Sequence, residues 1–443
     1  MKETLDGLDS KLLSADARFS KIAEAIGLST EIAAGDTPGA ARLRMIPLNI
    51  WDLLARAGIV LRNEELHPWL PIQSQGQGLQ NLAVMLLLQV AAVQRLSEDT
   101  PEGAEPVFAI EEPEVHLHPQ AARTLWERVS ALPGQKLVTT HSPYFVQNVP
   151  LHNLRIVRLK KGKTVVSALQ KGIVSDIPWN EKLDSLVAAK PLLGFTRDSV
   201  SGCVMSTRWF DEATTQDLIS CYRKGKTLSV TTDERVRAFR RSSRVLISKE
   251  DEVELSFCGR RIRGEIFFAR RWVLVEGPSD YLLLQALGRA FEYDLDRHGV
   301  GVIDFQNNGN AGIYPALGDA FEIPWMLVTD GDPESENFKK QILKRGFRED
   351  DLNGRYFPLP SPNTLEDQLL ADGHEKLLRD TLAEIGIPNA LTCTLDELKK
   401  HLKNNKTAYM SSLAPKVAAG VNLAARMPKQ FVEVINQLKS AQP

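Results

Sequence analysis

Cysteine is scarce in this sequence: four in 443 residues (Cys203, Cys221, Cys258 and Cys393), far apart and without a C-x-x-C pair. That spacing excludes a disulfide scaffold and a cysteine zinc module, and makes a reducing compartment the default. Long hydrophobic runs are lacking as well. The longest, Leu82 to Val93, is interrupted by Gln89 and is too short to cross a bilayer. The first thirty residues carry charges throughout, so no secretory signal is expected. Charge of one sign is also missing, since 54 Lys plus Arg against 56 Asp plus Glu leave a net charge of −2. No global field therefore points to nucleic acid, although a balanced total can conceal a local excess. There is no repeat of solenoid length and no low-complexity tract. What remains is ordinary globular composition, 43% apolar and 25% charged, over a length that suits two to three domains. A soluble, cytoplasmic protein is the expectation.

Four stretches differ in character. Residues 1 to about 46 are polar and helix-leaning and end in a small-residue loop, Ala33 to Ala41. From about 47 to 170, apolar segments alternate with helical ones, the rhythm of an α/β layer structure. Here Pro106 to Ile110 and Lys136 to Thr140 read as buried strands, with Gln120 to Ala131 a helix between them. Residues 171–271 are irregular, then strongly basic, and are expected to form a largely helical connector. Between Tyr222 and Arg271 stand 14 Lys/Arg against 7 Asp/Glu. The α/β alternation returns over 272–360, with strands Trp272 to Val275, Val300 to Phe305 and Trp325 to Thr329 and a helix Asp280 to Phe291. Residues 361–443 read as mainly helical, completing the second α/β module and forming a C-terminal helical region.

The segment Val107-Phe-Ala-Ile-Glu-Glu-Pro-Glu-Val-His-Leu-His-Pro119 places Glu111 and Glu112 at the carboxyl end of an apolar strand. Open parallel sheets bind ligands at that edge. One acid there can hold Mg²⁺, and the next can polarise a water against a γ-phosphate. The following strand ends in Thr139-Thr-His-Ser-Pro143, bringing His141 to the same edge. Upstream, Ser74-Gln-Gly-Gln-Gly78, with Gly76 at its centre, leads into a helix, a start that suits phosphate. Together these resemble the Walker B, D-loop, switch-histidine and signature elements of ABC-type ATPase heads, in wording closest to the RecF-like and overcoming-lysogenization-defect (OLD) branch. The phosphate loop G-x-x-x-x-G-K-[ST] is absent. Five residues before Gly162-Lys-Thr164 and Gly225-Lys-Thr227 stand Val157 and Ser220, so neither completes it. Residues 1–170 are thus expected to be the later part of an ATPase domain, and the chain alone is not expected to hydrolyse ATP.

A second constellation follows. Trp272-Val-Leu-Val-Glu-Gly-Pro-Ser-Asp280 is an apolar strand, then Glu276, a Gly-Pro turn, and Asp280 opening a helix. Trp325-Met-Leu-Val-Thr-Asp-Gly-Asp332 repeats the device with Asp330 and Asp332. If the strands are parallel neighbours, these carboxylates meet at one edge. They cannot all stay ionised there without cations, and hard oxygen ligands suit Mg²⁺ or Mn²⁺. Two such ions roughly 3.5–4 Å apart can clamp both oxygens of a phosphodiester displacement.

This pattern resembles the Toprim domain, and Phe267-Phe-Ala-Arg-Arg-Trp-Val-Leu-Val-Glu-Gly277 is similar to the opening of OLD-family Toprim domains. The resemblance covers about residues 47–430 and implies a partial ABC-type head followed by a Toprim sheet, an α/β fold class. In class 2 OLD nucleases it implies metal sites at Glu276, Asp280, Asp330 and Asp332, with a hydroxyl-x-Glu element at Thr364 and Glu366. Asn363-x-x-Glu366 and Thr364-x-x-Asp367 read equally well as capping boxes. A late catalytic lysine is implied too, best matched by Lys416, with Lys429 the rival and Lys406 less favoured. Asp304 and the Asn307 to Gly312 loop fall at the fold's middle strand and glycine turn.

In the basic stretch, Arg235, Arg237, Arg240, Arg241 and Arg244 recur at spacings of two to four, and Arg260, Arg261, Arg263, Arg270 and Arg271 continue the excess. Such a strip suits DNA phosphates. The competing reading is a solvated helix paired with Asp233, Glu250, Asp251, Glu252 and Glu254. The expectation is a metal-dependent DNA endonuclease, regulated by ATP in a complete head, in a homo-oligomer, with phage defence or DNA processing implied by the family and a partner protein in a defence system possible. The rivals are another Toprim chemistry and a non-catalytic DNA-binding scaffold. No topoisomerase tyrosine and no primase zinc module is evident, and a scaffold has no need of clustered carboxylates.

Overall fold

Short β-branched runs bounded by Gly, Pro and Asp favour strands, and in the computed structural model they form five small sheets among the described residues. The structure describes residues 40–44, 58–62, 68–80, 105–223, 230–258, 264–305 and 311–440, with isolated positions between 11 and 26 and between 83 and 87. The chain divides into two compact units, Met1–Val149 and Pro150–Pro443. Among the described residues no helix is long and apolar enough to cross a membrane.

The first unit holds an antiparallel sheet, β1 (Ala40–Arg44), β2 (Gly58–Arg62) and β3 (Leu70–Pro71). It also holds a parallel pair, β4 (Val107–Glu111) and β5 (Gln135–Thr139), in register from Val107↔Gln135 to Glu111↔Thr139. The helix Pro119–Ser130 makes the crossover. His118 caps it, Pro119 opens it, and Ala121, Ala122, Leu125 and Val129 form its buried stripe.

In the second unit, β6 (Ile156–Lys160) and β7 (Lys163–Ser167) form a hairpin. Its turn residues Lys161 and Gly162 have φ of 50° and 74°, the left-handed pair a two-residue hairpin requires. Gly162-Lys-Thr164 therefore belongs to a hairpin and cannot cradle phosphate. Gly225-Lys-Thr227 lies outside the described residues. The 171–271 stretch is not helical throughout. It opens with an antiparallel sheet of β8 (Ile173–Pro178), β9 (Phe195–Arg197) and β10 (Cys203–Ser206) in the order β8-β10-β9. The alternation of Ile173, Ser175 and Ile177 fits a half-buried strand better than a helix. The helices Glu212–Ser220 and Val230–Ser243 follow, packing Leu218, Ile219, Val236 and Phe239 against Phe195 and Phe210.

The last sheet positions the site. Strands β11 (Arg271–Val275), β12 (Val300–Asp304), β13 (Trp325–Thr329) and β14 (Tyr356–Pro358) are all parallel, in the order β12-β11-β13-β14. Central β11 is apolar on both faces because both are covered. Val273 and Val275 share a core with Leu283, Leu284 and Leu287 of the helix Pro278–Ala290, with Tyr409 and Leu413, and with Phe431 of the helix Lys429–Ser440. On Trp272 the indole packs edge-on to Tyr314 and donates to the Ile266 carbonyl at 2.8 Å. The chain leaves β11 for β12 on one side and returns past it to β13 on the other. The crevice between β11 and β13, at their carboxyl ends, is therefore the switch point of the sheet, where open α/β folds bind ligands.

Candidate active site: carboxylates at the strand ends

Glu276 is the first residue after β11, and Asp330 the first after β13. The Glu276 carboxylate accepts from the Asp330 N–H at 2.7 Å and lies 2.5 Å from the Ser335 hydroxyl. Asp332 caps the helix Pro333–Lys344, its Oδ1 accepting from the Ser335 N–H at 2.8 Å, with the Ser335 hydroxyl 2.9 Å away. Asp280 sits in the first turn of the Pro278–Ala290 helix and accepts from the Gly277 N–H at 3.0 Å. In the Asp330-Gly-Asp332 turn, a side chain on Gly331 would meet the Leu359 and Pro360 carbonyls at 2.6 Å. The glycine thus lets the 360–363 segment lie against the turn, and its N–H donates to the Asn363 carbonyl at 2.8 Å. That contact delivers the next helix, Leu365–Ala371, to the site. Thr364 caps this helix, accepting from the Asp367 N–H at 3.4 Å, and Glu366 in its first turn is buried.

The electrostatics show what these groups do to one another. Burial, followed by the charges of Asp280, Glu276 and Glu366, pushes the Asp330 carboxyl up to about 8. No described residue donates a hydrogen bond to that carboxylate. Asp280 is pushed up to about 7, by burial first and then by Glu276 and Glu366. Burial also raises Glu276, against the hydrogen bonds of Ser335 and Asp330 and with Asp332 and Glu334 adding to the rise. Among the described residues, one cation stands with them. Lys406, opening the helix Lys406–Ala418, has its Nζ 3.6 Å from Glu366 Oε2. Burial lowers its pKa, but Glu366, Asp330 and Asp280 outweigh that and hold it above its usual value.

Hard oxygen donors that mutually resist ionisation are the chemistry a divalent cation relieves. As a donor set these residues fit one. They do not form a finished coordination sphere, since among the described residues no three acidic, histidine or cysteine groups are arranged to hold a metal. Glu276 and Asp332 are turned onto Ser335, and Asp280 onto the Gly277 N–H.

The structure brings Glu276, Asp280, Asp330 and Glu366 together, with Asp332 sharing Ser335 with Glu276. Thr364 serves as a helix cap. Lys416 is not at this site. Its Nζ pairs with Glu384 at 2.6 Å and lies 3.2 Å from the Thr381 hydroxyl, at the far end of the helix that Lys406 opens. Ser335, Lys406 and Tyr409 complete the site. Lys406 was the less favoured of the three lysines weighed in the sequence, and Ser335 and Tyr409 were not singled out there, although Asp332-x-x-Ser335 is a helix-cap spacing that could have pointed to the serine.

Four arginines of the strip, Arg235, Arg237, Arg240 and Arg244, make ion pairs within the protein. Arg235 pairs with Asp176 at 2.7 Å, and Arg237 with Asp233 at 2.8 Å and Glu212 at 3.1 Å. Arg240 reaches Glu212 at 2.6 Å, and Arg244 reaches Asp319 at 3.1 Å while lying over the Phe347 ring. Arg271 donates to the Leu438 carbonyl at 3.2 Å. Arg241 and exposed Arg270 make no ion pair with a described residue, and Arg260, Arg261 and Arg263 lie outside the described residues. These pairs tie the helix Val230–Ser243 to neighbouring elements.

In the first unit, His141 Nε2 lies 3.3 Å from Glu112 at the shared edge of β4 and β5. Glu114 holds the 140–142 turn, accepting from the Thr140 hydroxyl at 2.5 Å and from the His141 and Ser142 N–H groups at 3.1 and 3.2 Å. Glu111 is exposed at the end of β4, and Ser74 ends a short 3₁₀ turn. A side chain on Gly76 would meet no described residue within 4 Å, whereas one on Gly78 would meet the His116 carbonyl at 2.7 Å and Leu117 at 2.8 Å. Gly78→Ala is accordingly expected to destabilise this unit by about 1–3 kcal/mol, and Gly76→Ala by less, as read by thermal denaturation. Among the described residues, no glycine-rich loop that could cradle a phosphate stands beside these residues.

Residues 267–332 match the family described as overcoming lysogenization defect protein-like, TOPRIM domain, and residues 58–146 match the AAA ATPase domain family. The chain thus carries an OLD-like Toprim domain and an ATPase-type segment. It is 24% identical over 258 residues to the uncharacterized protein YbjD of Escherichia coli (strain K12), covering 58% of this chain. The match spans 32% of that relative's length, about a third. Similar solved structures include the C-terminal region of the Burkholderia pseudomallei OLD protein (20% identity, 39% of this chain and 98% of that one, TM-score 0.32). The corresponding region from Xanthomonas campestris pv. campestris is another (21% identity, 40% and 95%, TM-score 0.32).

Proposed function

We propose that the protein is a metal-dependent DNA endonuclease whose centre is the carboxylate cluster at the β11/β13 switch point. The observation that carries this reading is the gathering of Glu276, Asp280, Asp330 and Glu366 from separate elements at the carboxyl ends of β11 and β13, with Glu276 bonded to the Asp330 N–H and sharing Ser335 with Asp332. Burial and neighbouring acids raise the carboxyls of Asp280 and Asp330 there. Glu276, Asp280, Asp330, Asp332 and Glu366 would hold Mg²⁺ or Mn²⁺. When bound, the cations supply the Lewis acidity that polarises a phosphodiester and its attacking water. The chain's own contribution is to gather the acids by β-strand register and to fix Asp332 through its capping bonds. It also keeps Lys406 protonated beside the cluster, where it can neutralise charge on the phosphate. ATP-linked regulation, a homo-oligomer, a partner completing the head and a role in phage defence or DNA processing rest on the family likeness alone.

The test is supercoiled plasmid incubated with the protein and Mg²⁺ or Mn²⁺, beside an EDTA control. Nicking or linearisation is expected with metal only, and Glu276→Ala should abolish it. Lys406→Ala should slow cleavage about 100-fold, the scale of one lost charge-stabilising donor, and Lys416→Ala should leave the rate within a factor of about two. Intact plasmid that still binds the protein would favour the scaffold reading. Equal losses for Lys406→Ala and Lys416→Ala would remove Lys406 from the site.

A further inference from the structure

Glu366 differs from its neighbours in how it is held. Glu276 and Asp280 each accept from a backbone N–H, whereas no described backbone N–H reaches Glu366. Its two oxygens are taken by one helix. Lys406 Nζ stands 3.6 Å from Oε2, and the Tyr409 hydroxyl donates to Oε1 at 3.0 Å. Residues three apart share a helix face, so Lys406–Ala418 presents both groups to the same carboxylate. Tyr409 is fully buried, with its ring in the main core. Its hydroxyl makes no other hydrogen bond to a described residue, and burial beside Glu366 holds its pKa well above the usual 10. A buried carboxylate repelled by Asp280 and Asp330 would otherwise swing away from them. A phenol has two side-chain torsions and a ring locked by packing, so it restrains the acid more tightly than a lysine stem can.

We infer that Tyr409 is a positioning residue, one that aims Glu366 at the cation site and thereby sets divalent-metal affinity. The inference rests on the proposed function, in which Glu366 is a ligand. Groups that orient a metal ligand from behind typically change metal affinity or activity 10–100-fold when removed. Tyr409→Phe deletes only the hydroxyl and keeps the ring in the core.

The experiment is Mn²⁺ titration of the full chain without DNA, followed by electron paramagnetic resonance, with melting in EDTA as the fold control. Tyr409→Phe is expected to weaken Mn²⁺ binding by about tenfold or more, with its melting temperature in EDTA within a few degrees of the parent. Glu366→Gln should weaken binding at least as much. Adding Tyr409→Phe to Glu366→Gln should then change nothing further, because the hydroxyl acts only through that carboxylate. Wild-type affinity in Tyr409→Phe together with weak binding in Glu366→Gln would overturn the positioning role and leave the metal site standing. Wild-type affinity in both Glu366→Gln and Asp330→Asn would overturn the metal site itself, and the inference with it. A lowered affinity that is additive in the double variant would also overturn it, by showing that Tyr409 acts through another group.

Discussion

Asp330→Asn is expected to abolish metal-dependent cleavage and, in the same protein, to raise thermal stability in EDTA at neutral pH. Cleavage should fall by roughly a thousandfold or more, because a lost ligand forfeits several kcal/mol of transition-state charge stabilisation. The stability change follows from the raised pKa. Asp330 titrates near 8 when folded, against an ordinary value of 3.8. Its contribution to stability is therefore present in full below about pH 4 and lost as pH rises through about 8. At pH 7 to 8 the wild-type protein must either bind a proton or bury a charge near Asp280 and Glu276, and asparagine requires neither. After allowing for repulsion shared across the cluster, the gain is on the order of 2 kcal/mol, about 3 °C in the melting temperature of a unit of this size. Calorimetry at pH 4.5 and pH 8 checks the sign, since the gain should grow with pH. Mn²⁺ should raise the melting temperature of the parent more than that of Asp330→Asn. An Asp330→Asn protein that is less stable than the parent at pH 8 would mean the cluster is already relieved.

Arg345→Ala should produce the largest loss of stability, about 3–5 kcal/mol. Arg345 follows the helix Pro333–Lys344 at its carboxyl end and is 3% exposed. It grips Asp251 of the helix Lys249–Cys258 with two parallel bonds, Nη1 to Oδ1 at 3.0 Å and Nη2 to Oδ2 at 2.8 Å. The same guanidinium donates to the Leu246 and Arg244 carbonyls and lies 5.0 Å from the centre of the Trp209 ring. Asp251 also accepts from the Ser248 N–H and the Trp209 indole. Removing the arginine strands a buried carboxylate and two carbonyls. Arg345→Met with Asp251→Leu removes both charges and should recover most of the loss. Urea denaturation of the single and double variants separates the cases, and a double variant as unstable as the single would show that packing, not the stranded charge, is responsible. Because Asp332 caps the other end of the Pro333–Lys344 helix, Arg345→Ala is also expected to reduce cleavage.

Much of the sheet was legible residue by residue. Trp272 to Val275 and Trp325 to Val328 are apolar on successive positions, which only a strand covered on both faces tolerates, and they fall within one residue of β11 and β13. The ends of those strands are marked by Glu276-Gly-Pro and Asp330-Gly-Asp, and a strand's end is a local property. The basic stretch was harder. The partners of Arg237, Arg240 and Arg244 include Glu212 and Asp319, 25 to 75 positions away in the chain, beyond the reach of any spacing rule. The choice of lysine failed for a related reason. Lys406 and Lys416 lie on one helix, about 15 Å apart at 1.5 Å per residue, and nothing local says which end faces the acids.

The sequence by itself determined which residues begin and end the strands, and hence that Glu276 and Asp330 stand at carboxyl edges. Alternation, glycine turns and caps act over a few residues and are written in neighbouring side chains. Only the tertiary structure decided that β11 and β13 are adjacent, that Gly331 draws Glu366 toward them, and that one end of the Lys406–Ala418 helix delivers a lysine and a tyrosine to that carboxylate. These are matters of packing between distant segments, where close fit and desolvation select one arrangement among many that the same local pattern allows.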